Sequence, residues 1–316
     1  MHLRFRGIDV REALLLRGPG GWGEFSPFPE YDDAEAARWL AAALEAARGD
    51  VPAAVRDAVP VNATVPAVAA ADVSGVLARF PGCTTAKVKV AQAGQALRDD
   101  VDRVAAVRDV LGPAGRVRVD ANGAWSVADA LRAVPALDAL GLEYVEQPCA
   151  EVEDLAALRV ALARAGVDVL VAADESVRRA EDPLRVARLG AADVVVLKVA
   201  PLGGVGPALA IAEECGLPVV VSSALETSVG IRAGVALAAA LPELPFACGL
   251  ATTSLLAGDV VLGSLDGRGG AIAVRDRAAP DAAPDPELLA RWAAPPERQQ
   301  WWRERLARCA ELLPAD

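Results

Sequence analysis

RVRVDAN at residues 116–122, EYVEQP at 143–148 and DVLVAADES at 168–176 share one plan, a short Val-rich run that closes on an acidic side chain. Those side chains are Asp120, Glu146 and Asp174, 26 and 28 residues apart. Working outward, the same kind of run recurs as VPVNATV (59–65) and TAKVKV (85–90) before them. DVVVLKV (193–199), PVVVSSALE (218–226) and FACGLAT (246–252) follow. The eight runs are centred 24 to 30 residues apart. Ala/Leu/Arg segments with helical spacing lie between them, such as LRDDVDRVAAVRDVLG and EDLAALRVALARAG, and DPLRVARLG at 182–190 reads as another helix. The gap after VNATV is the least helical.

Strands that are apolar on both faces and alternate with helices describe a parallel α/β sheet covered on each side. Eight of them at this pitch favour a (β/α)8, TIM-type barrel. An open doubly wound sheet would want a Gly-rich phosphate loop after its first strand, and the sequence has none there. The flanks read differently. The first has strand-like LRFRGIDV and REALLLRG, a Gly/aromatic loop GPGGWGEFSPFPEYDD and an Ala-rich helix over about 34–48. The last has a Gly-rich loop followed by Pro-rich and helical sequence. We therefore expect residues 1–59 and 260–316 to form one α+β capping domain, and residues 60–259 to form the barrel.

Composition excludes several functions. With 316 residues, 53% apolar and a net charge of −11, the chain offers no basic footprint for nucleic acid or an anionic membrane. Its longest run without charge, Leu244 to Gly258, is 15 residues, short of the roughly 20 a spanning helix needs. MHLRFRGIDVRE at the start has no apolar core, so no secretory signal is expected and the location is read as cytoplasmic. The five cysteines are scattered and never form C-x-x-C, which suits small buried thiols in a reducing compartment. The single histidine is His2, which removes Ser-His-Asp triads, His-ligated zinc and histidine general bases.

Only three of the 32 basic residues are lysine: Lys87, Lys89 and Lys198. All three fall at the ends of strand runs, where barrels of this kind place their chemistry. Period-two geometry puts Lys87 and Lys89 on one face of their strand, with Val88 and Val90 on the other. Two neighbouring ammonium groups repel, so at least one should lose its proton more readily than usual, which arginine could not do. Asp120, Glu146 and Asp174 would stand on three adjacent strand ends. Three carboxylates so close call for a cation, and oxygen ligation suits Mg²⁺. Lys198 lies one unit further on, across the barrel from Lys89. A metal flanked by two amines suits removal of a proton from carbon next to a carboxylate.

TAKVKV, VDANGAW, EYVEQP, AADES and VLKVAPLGG resemble the successive active-site strands of the enolase superfamily, muconate-lactonising subgroup. The resemblance implies a modified (β/α)7β barrel capped by an α+β domain built from both termini. It also implies that Asp120, Glu146 and Asp174 bind Mg²⁺, with Mn²⁺ able to substitute. Lys89 would be the acid/base lysine with Lys87 beside it, and Lys198 the opposite lysine.

The segments GGWGEFSPFPEY and SSALETSVG resemble the dehydratases of that subgroup that form 2-succinylbenzoate for menaquinone. The substrate implied is a small-molecule carboxylate, with Ser222 and Ser223 at its succinyl group and a loop carrying Trp22 and Phe25 over its ring. Asn122 is a further candidate contact. Subgroup members that racemise N-acylamino acids carry Arg where this chain has Pro201, and dipeptide epimerases favour an acidic pair that Gly249–Ser254 lacks. Those two activities are the alternatives within the subgroup, and a metal-free Schiff-base aldolase is the alternative outside it. No nucleic-acid or membrane partner is expected, and a monomer is favoured.

Overall fold

A computed structural model describes residues 1–314 apart from 3, 6, 180–181 and 275–282. The chain opens with a hairpin of β1 (Leu14–Gly18) and β2 (Gly21–Phe25), in which Leu14 faces Phe25. Helix α1 (Asp33–Arg48) follows. The Asp32 side chain caps it by accepting the Glu35 amide at 2.7 Å, and it ends where Gly49 turns left-handed at φ 88°. Five residues of the stretch read from sequence as a Gly/aromatic loop, about a third of it, are strand β2. The reason is close packing. A Cβ on Gly23 would stand 1.9 Å from the Ala43 carbonyl oxygen, so glycine lets the strand lie directly on the helix backbone.

Next come β3 (Ala58–Pro60), β4 (Ala63–Val65), α2 (Val73–Leu77) and β5 (Thr85–Lys89). Helix α3 (Leu97–Leu111), β6 (Arg116–Asp120), α4 (Val127–Asp138), β7 (Leu142–Glu146) and α5 (Val152–Arg164) continue the alternation. It runs on through β8 (Leu170–Ala173), the short helices α6 (Glu175–Arg178) and α7 (Arg185–Arg188), and β9 (Val194–Leu197). Helices α8 (Val199–Leu202) and α9 (Val205–Cys215), β10 (Val219–Val221) and α10 (Ser228–Ala240) complete the barrel's alternating units. Strand β11 (Ala271–Ala273), α11 (Pro286–Arg291) and α12 (Pro296–Glu311) form the C-terminal part. The least helical gap holds only α2 and a preceding 3-10 turn, and the DPLRVARLG segment keeps a single turn, α7.

Strands β4 to β10 form one parallel sheet in strict chain order. The eighth run does not make a strand. It closes the curled sheet through single bridges, Val61 to Cys248 and Ser222 to Gly249, with the Asn62 amide 2.9 Å from the Cys248 oxygen and the Gly249 amide 2.9 Å from the Val221 oxygen. This is the modified (β/α)7β plan. VPVNATV divides between two sheets: Ala58–Pro60 pairs with β11, while Ala63–Val65 begins the barrel.

Inside the sheet a small core of Tyr144, Ala172, Val194, Val196 and Val220 packs against Phe246. Arg118 crosses this interior fully buried, bonded to Glu143, to the Ala247 oxygen at 2.6 Å and to Asn62 at 3.2 Å, with its guanidinium 4.7 Å from the Tyr144 ring centre. Two residues up the same strand face stands Asp120, so one set of staves carries an inert plug below and acidic groups above.

The C-terminal segment returns to the N-terminal one. Trp302 of α12 sits edge-on to Phe25 at 5.7 Å, and Arg305 bonds the backbone oxygens of Phe28 (3.1 Å) and Tyr31. Of the expected capping segment 260–316, residues 275–282 and 315–316 lie outside the described residues. All five cysteines are free, and only Cys83 is not buried. No described helix is long and apolar enough to cross a membrane.

Gly23→Ala should lower the free energy of unfolding by about 1–3 kcal/mol, because the added methyl meets rigid helix backbone. Gly75→Ala, in an exposed position of α2 with nothing within 4 Å, should instead raise it by up to about 1 kcal/mol. Urea unfolding of both variants beside the wild type measures the contrast.

Candidate active site

The register of the sheet brings the polar strand ends level. Lys89 is the partner of Asp120 in the β5–β6 pair, and Asp120 is the partner of Glu146 in the β6–β7 pair. Asp174 and Lys198 are the residues immediately after β8 and β9. Asp120, Glu146 and Asp174 are all buried, as are Lys87 and Lys198. Alternation along the inward face places every one of these groups at the same end of the barrel.

Each carboxylate meets an amine. Lys87 Nζ donates to both oxygens of Glu146, at 2.7 and 2.9 Å, and lies 3.4 Å from Asp120. Lys89 Nζ donates to Asp120 and, at 2.7 Å, to Asn122 Oδ1. Lys198 Nζ donates to Asp174 at 2.6 Å, and Arg178 Nε holds the other oxygen of Asp174 at 3.0 Å. Lys89 and Lys198, four strands apart in the sheet, line one cleft of about 410 Å³ together with Asn122, Ser222 and Ser223. Phe5 and Phe28 form its apolar wall, and the Lys89 amine lies 5.4 Å from the Phe5 ring centre.

These groups shift one another's acidity. Burial, with the Lys87 charge beside it, makes Lys89 give up its proton more easily than an ordinary lysine, although Asp120 partly offsets this. The repulsion expected from sequence is thus present but is not the largest cause. Burial acts on Lys87 in the same direction, yet Glu146 and Asp120 reverse it and hold the amine strongly cationic. Asp120 and Asp174 are buried too, but Lys89 and Lys87 on one side and Lys198 and Arg178 on the other keep them well below the usual carboxylate range. Glu146 is pushed up to about 7 by burial and by the charge of Asp120.

Among the described residues no three carboxylates are gathered tightly enough in this arrangement to group round one ion, since each is turned onto an amine. The donor set nevertheless fits a hard divalent cation. It consists of three buried oxygen ligands on consecutive strand ends, and one of them, Glu146, resists ionisation through burial first and the charge of Asp120 second.

Two of the expected substrate contacts are elsewhere. Phe25 is fully buried against Trp302, and Trp22 pairs with Arg17 across the hairpin and lines a separate cleft with Trp292. Both belong to β2, whose faces are taken up by α1 and α12. Phe28, three residues on, is the aromatic of that segment that reaches the cleft.

Sequence reasoning also passed over Gln147. Its side-chain oxygen accepts the amides of Asp174 (2.9 Å) and Ser176 (3.2 Å), which fixes the backbone that presents Asp174. Gln147 and Asn122 both have left-handed backbone, at φ 39° and 47°, and the Asn122 amide donates to Asp120 at 2.9 Å.

Known proteins share this arrangement. Residues 69–280 match the family described as enolase C-terminal domain-like, and residues 1–47 match the enolase N-terminal domain-like family. The chain is 59% identical over 314 residues to a protein of Mycolicibacterium smegmatis named o-succinylbenzoate synthase, covering 99% of this chain and 94% of that one. It is 65% identical over 260 residues to a protein of the same name from Thermobifida fusca, covering 82% and 80%. A solved muconate cycloisomerase from Pseudomonas fluorescens superposes with a TM-score of 0.73 at 26% identity, over 88% of this chain and 92% of that one.

Beside the lysine cleft, Glu24 is buried between β2 and the start of α10, where burial raises its pKa from 4.5 to about 7 despite hydrogen bonds from Thr227, and the charge of Glu226 adds to the rise. The folded protein therefore holds a proton on Glu24 between about pH 4.5 and 7 that the unfolded chain releases. Its contribution to stability is full below about 4.5 and is lost as the pH rises through about 7. Unfolding free energies measured across that range should fall less steeply in Glu24→Gln than in the wild type.

Proposed function

We propose, from the premise that this chain belongs to the enolase superfamily, that Lys89 and Lys198 work from opposite sides of one substrate held beside Asp120, Glu146 and Asp174. The activity is that of an o-succinylbenzoate synthase, a hydro-lyase: 2-succinyl-6-hydroxy-2,4-cyclohexadiene-1-carboxylate loses water to give 2-succinylbenzoate, a step toward menaquinone. The observation that carries the assignment of roles is that both lysines line a single cleft while the three carboxylates occupy the staves between them. We take residues 1–59 and 260–316 as the cap over a barrel of 60–259, acting as a monomer in the cytoplasm.

Asp120, Glu146 and Asp174 would hold Mg²⁺, or Mn²⁺ in its place. Bound there, the ion would neutralise the substrate carboxylate and lower the cost of negative charge on the adjoining carbon. Lys89 removes the ring proton next to that carboxylate and returns it to the departing hydroxyl on the same face. One C–H and one C–O bond break, a ring double bond forms, and water leaves. The lowered proton affinity of Lys89 supports the base role, and Lys87, fixed as a cation by Glu146 and Asp120, sustains it by its charge. The Asn122 side chain aims the Lys89 amine.

Lys198, bonded to Asp174, faces the ring as negative charge spreads through it. Phe5 and Phe28 keep water from the ring, and Ser222 and Ser223 stand where the succinyl carboxylate would lie.

Lys89→Arg keeps the positive charge but removes an amine able to accept a proton. Dehydration assayed with Mg²⁺ should fall by about 10³-fold or more, with the far-UV circular dichroism unchanged. Turnover near wild type in that variant removes Lys89 from the base role. EDTA should abolish activity and added Mg²⁺ restore it. Activity that survives chelation, or borohydride trapping of a substrate adduct, favours a Schiff-base mechanism instead. Deuterium entering an N-acylamino acid from D₂O without dehydration of the cyclohexadiene acid favours a racemase.

A further inference from the structure

The loop from Ser222 to Glu226 forms one side of the lysine cleft, and its shape is unusual. Leu225, a buried non-glycine residue, has left-handed backbone at φ 67°. Such a conformation persists only where the surroundings impose it. Here two side chains that take no part in the proton transfers, Glu226 and Arg11, hold the loop at Ala224, and Glu24 holds the helix that follows it.

Glu226 folds back along its own loop, and its Oε2 accepts the Ala224 amide at 2.6 Å. Arg11, from the segment before β1, donates through Nε to the Ala224 oxygen at 3.3 Å and through another guanidinium nitrogen to the Ser26 oxygen. Its guanidinium also lies 4.4 Å from the centre of the Phe28 ring, which lines the same cleft. Glu24 of β2 accepts the Thr227 amide and hydroxyl, at 3.1 and 2.6 Å, and the Gly230 amide at 3.1 Å, so the hairpin caps the first turn of α10. Both carboxylates pack against Gly230. A Cβ there would stand 2.6 Å from Glu226 Cβ and 3.1 Å from Glu24 Oε2.

We propose that Glu226 and Arg11 are positioning residues that hold the 222–226 loop, and with it Ser222 and Ser223, in the shape that receives the substrate's remote carboxylate. Glu24 fastens the same loop's outgoing helix to the hairpin. Barrel wall and aromatic wall then meet on one guanidinium, which grips Ala224 on one side and Phe28 on the other. The inference rests on the dehydratase reading for the identity of the ligand, and it assigns roles to side chains that neither move a proton nor belong to the three-carboxylate set.

The test is binding of 2-succinylbenzoate by calorimetry, in Mg²⁺, to wild type, Glu226→Ala, Glu226→Gln and Arg11→Met, with thermal unfolding recorded for each. Losing the bond to the Ala224 amide should raise the Kd of Glu226→Ala by about tenfold or more, the equivalent of one buried hydrogen bond. Glu226→Gln, whose side-chain oxygen can still accept that amide, should return to within about threefold of wild type. Arg11→Met should weaken binding in the same direction, and it decides the matter if Glu226→Ala does not fold.

A role confined to stability would lower the unfolding temperature and leave Kd unchanged. An unchanged Kd in folded Glu226→Ala, or a glutamine variant no better than alanine, overturns the proposal. A wild type that dehydrates the cyclohexadiene acid while these variants bind normally overturns this inference alone. A wild type that neither turns over nor binds overturns the dehydratase reading with it.

Discussion

Three buried carboxylates and three amines, two of them buried and the third half-buried, cannot exist at one end of a barrel unless each offsets the other's loss of water. An isolated ion moved into such a site costs several kcal/mol even after relaxation, so the pairs Lys87–Glu146, Lys89–Asp120 and Lys198–Asp174 are a condition of the fold as well as of the chemistry. The parallel register meets that condition. Because Lys89, Asp120 and Glu146 are partners across neighbouring strands, their charged ends arrive at one height without any long loop to steer them. At position 89 the proposed base role gives lysine a reason separate from charge. Only an amine can be poised, by burial and by a second cation nearby, to trade a proton.

That balance is unequal in an informative way. Lys87, between Glu146 and Asp120, is driven toward permanent charge, whereas Lys89, one turn of the pleat nearer the mouth, is driven away from it. Two lysines on one strand face, two residues apart, thus divide into one held strongly cationic and one that gives up its proton more easily than usual. What divides them is the number of carboxylates each can reach: Lys87 meets two, and Lys89 meets one carboxylate and one neutral amide.

The staves and their polar ends could be read from the chain because both depend on local regularities. A two-residue strand period and a constant strand–helix pitch fix which side chains share a face and which end they occupy. The lysine pattern, the three acids and the closing run at 246–252 are all of this kind. What the sequence hid depends on distant contacts or on left-handed backbone at residues other than glycine. Trp22 and Phe25 look like lid aromatics by composition, but β2 is pressed onto α1 at Gly23, so the Phe25 ring packs on Trp302 and the Trp22 ring lines a separate cleft. Gln147 and Leu225 look unremarkable in sequence and owe their roles to backbone that only the surrounding loops impose. Phe28 reaches the cleft from a segment whose backbone is held by Arg305 of the last helix, some 277 residues away.

The charged strand ends and the apolar wall of the cleft consequently sit on different parts of the molecule. Every group assigned to proton transfer or metal binding lies on the barrel staves, while the apolar wall comes from the first thirty residues and is held from the C-terminal helix. Loops joined to a rigid sheet can change without disturbing the charges that the sheet aligns. A muconate cycloisomerase can therefore share this backbone at 26% identity while bearing the name of a different reaction. Arg11 and Glu24 matter in this light because they join the two parts, Arg11 through Ala224 and Ser26 and Glu24 through Thr227 and Gly230. Through them the wall that selects the ligand is registered against the strand ends that act on it, and drift between cap and barrel would separate binding from proton transfer even with every lysine in place.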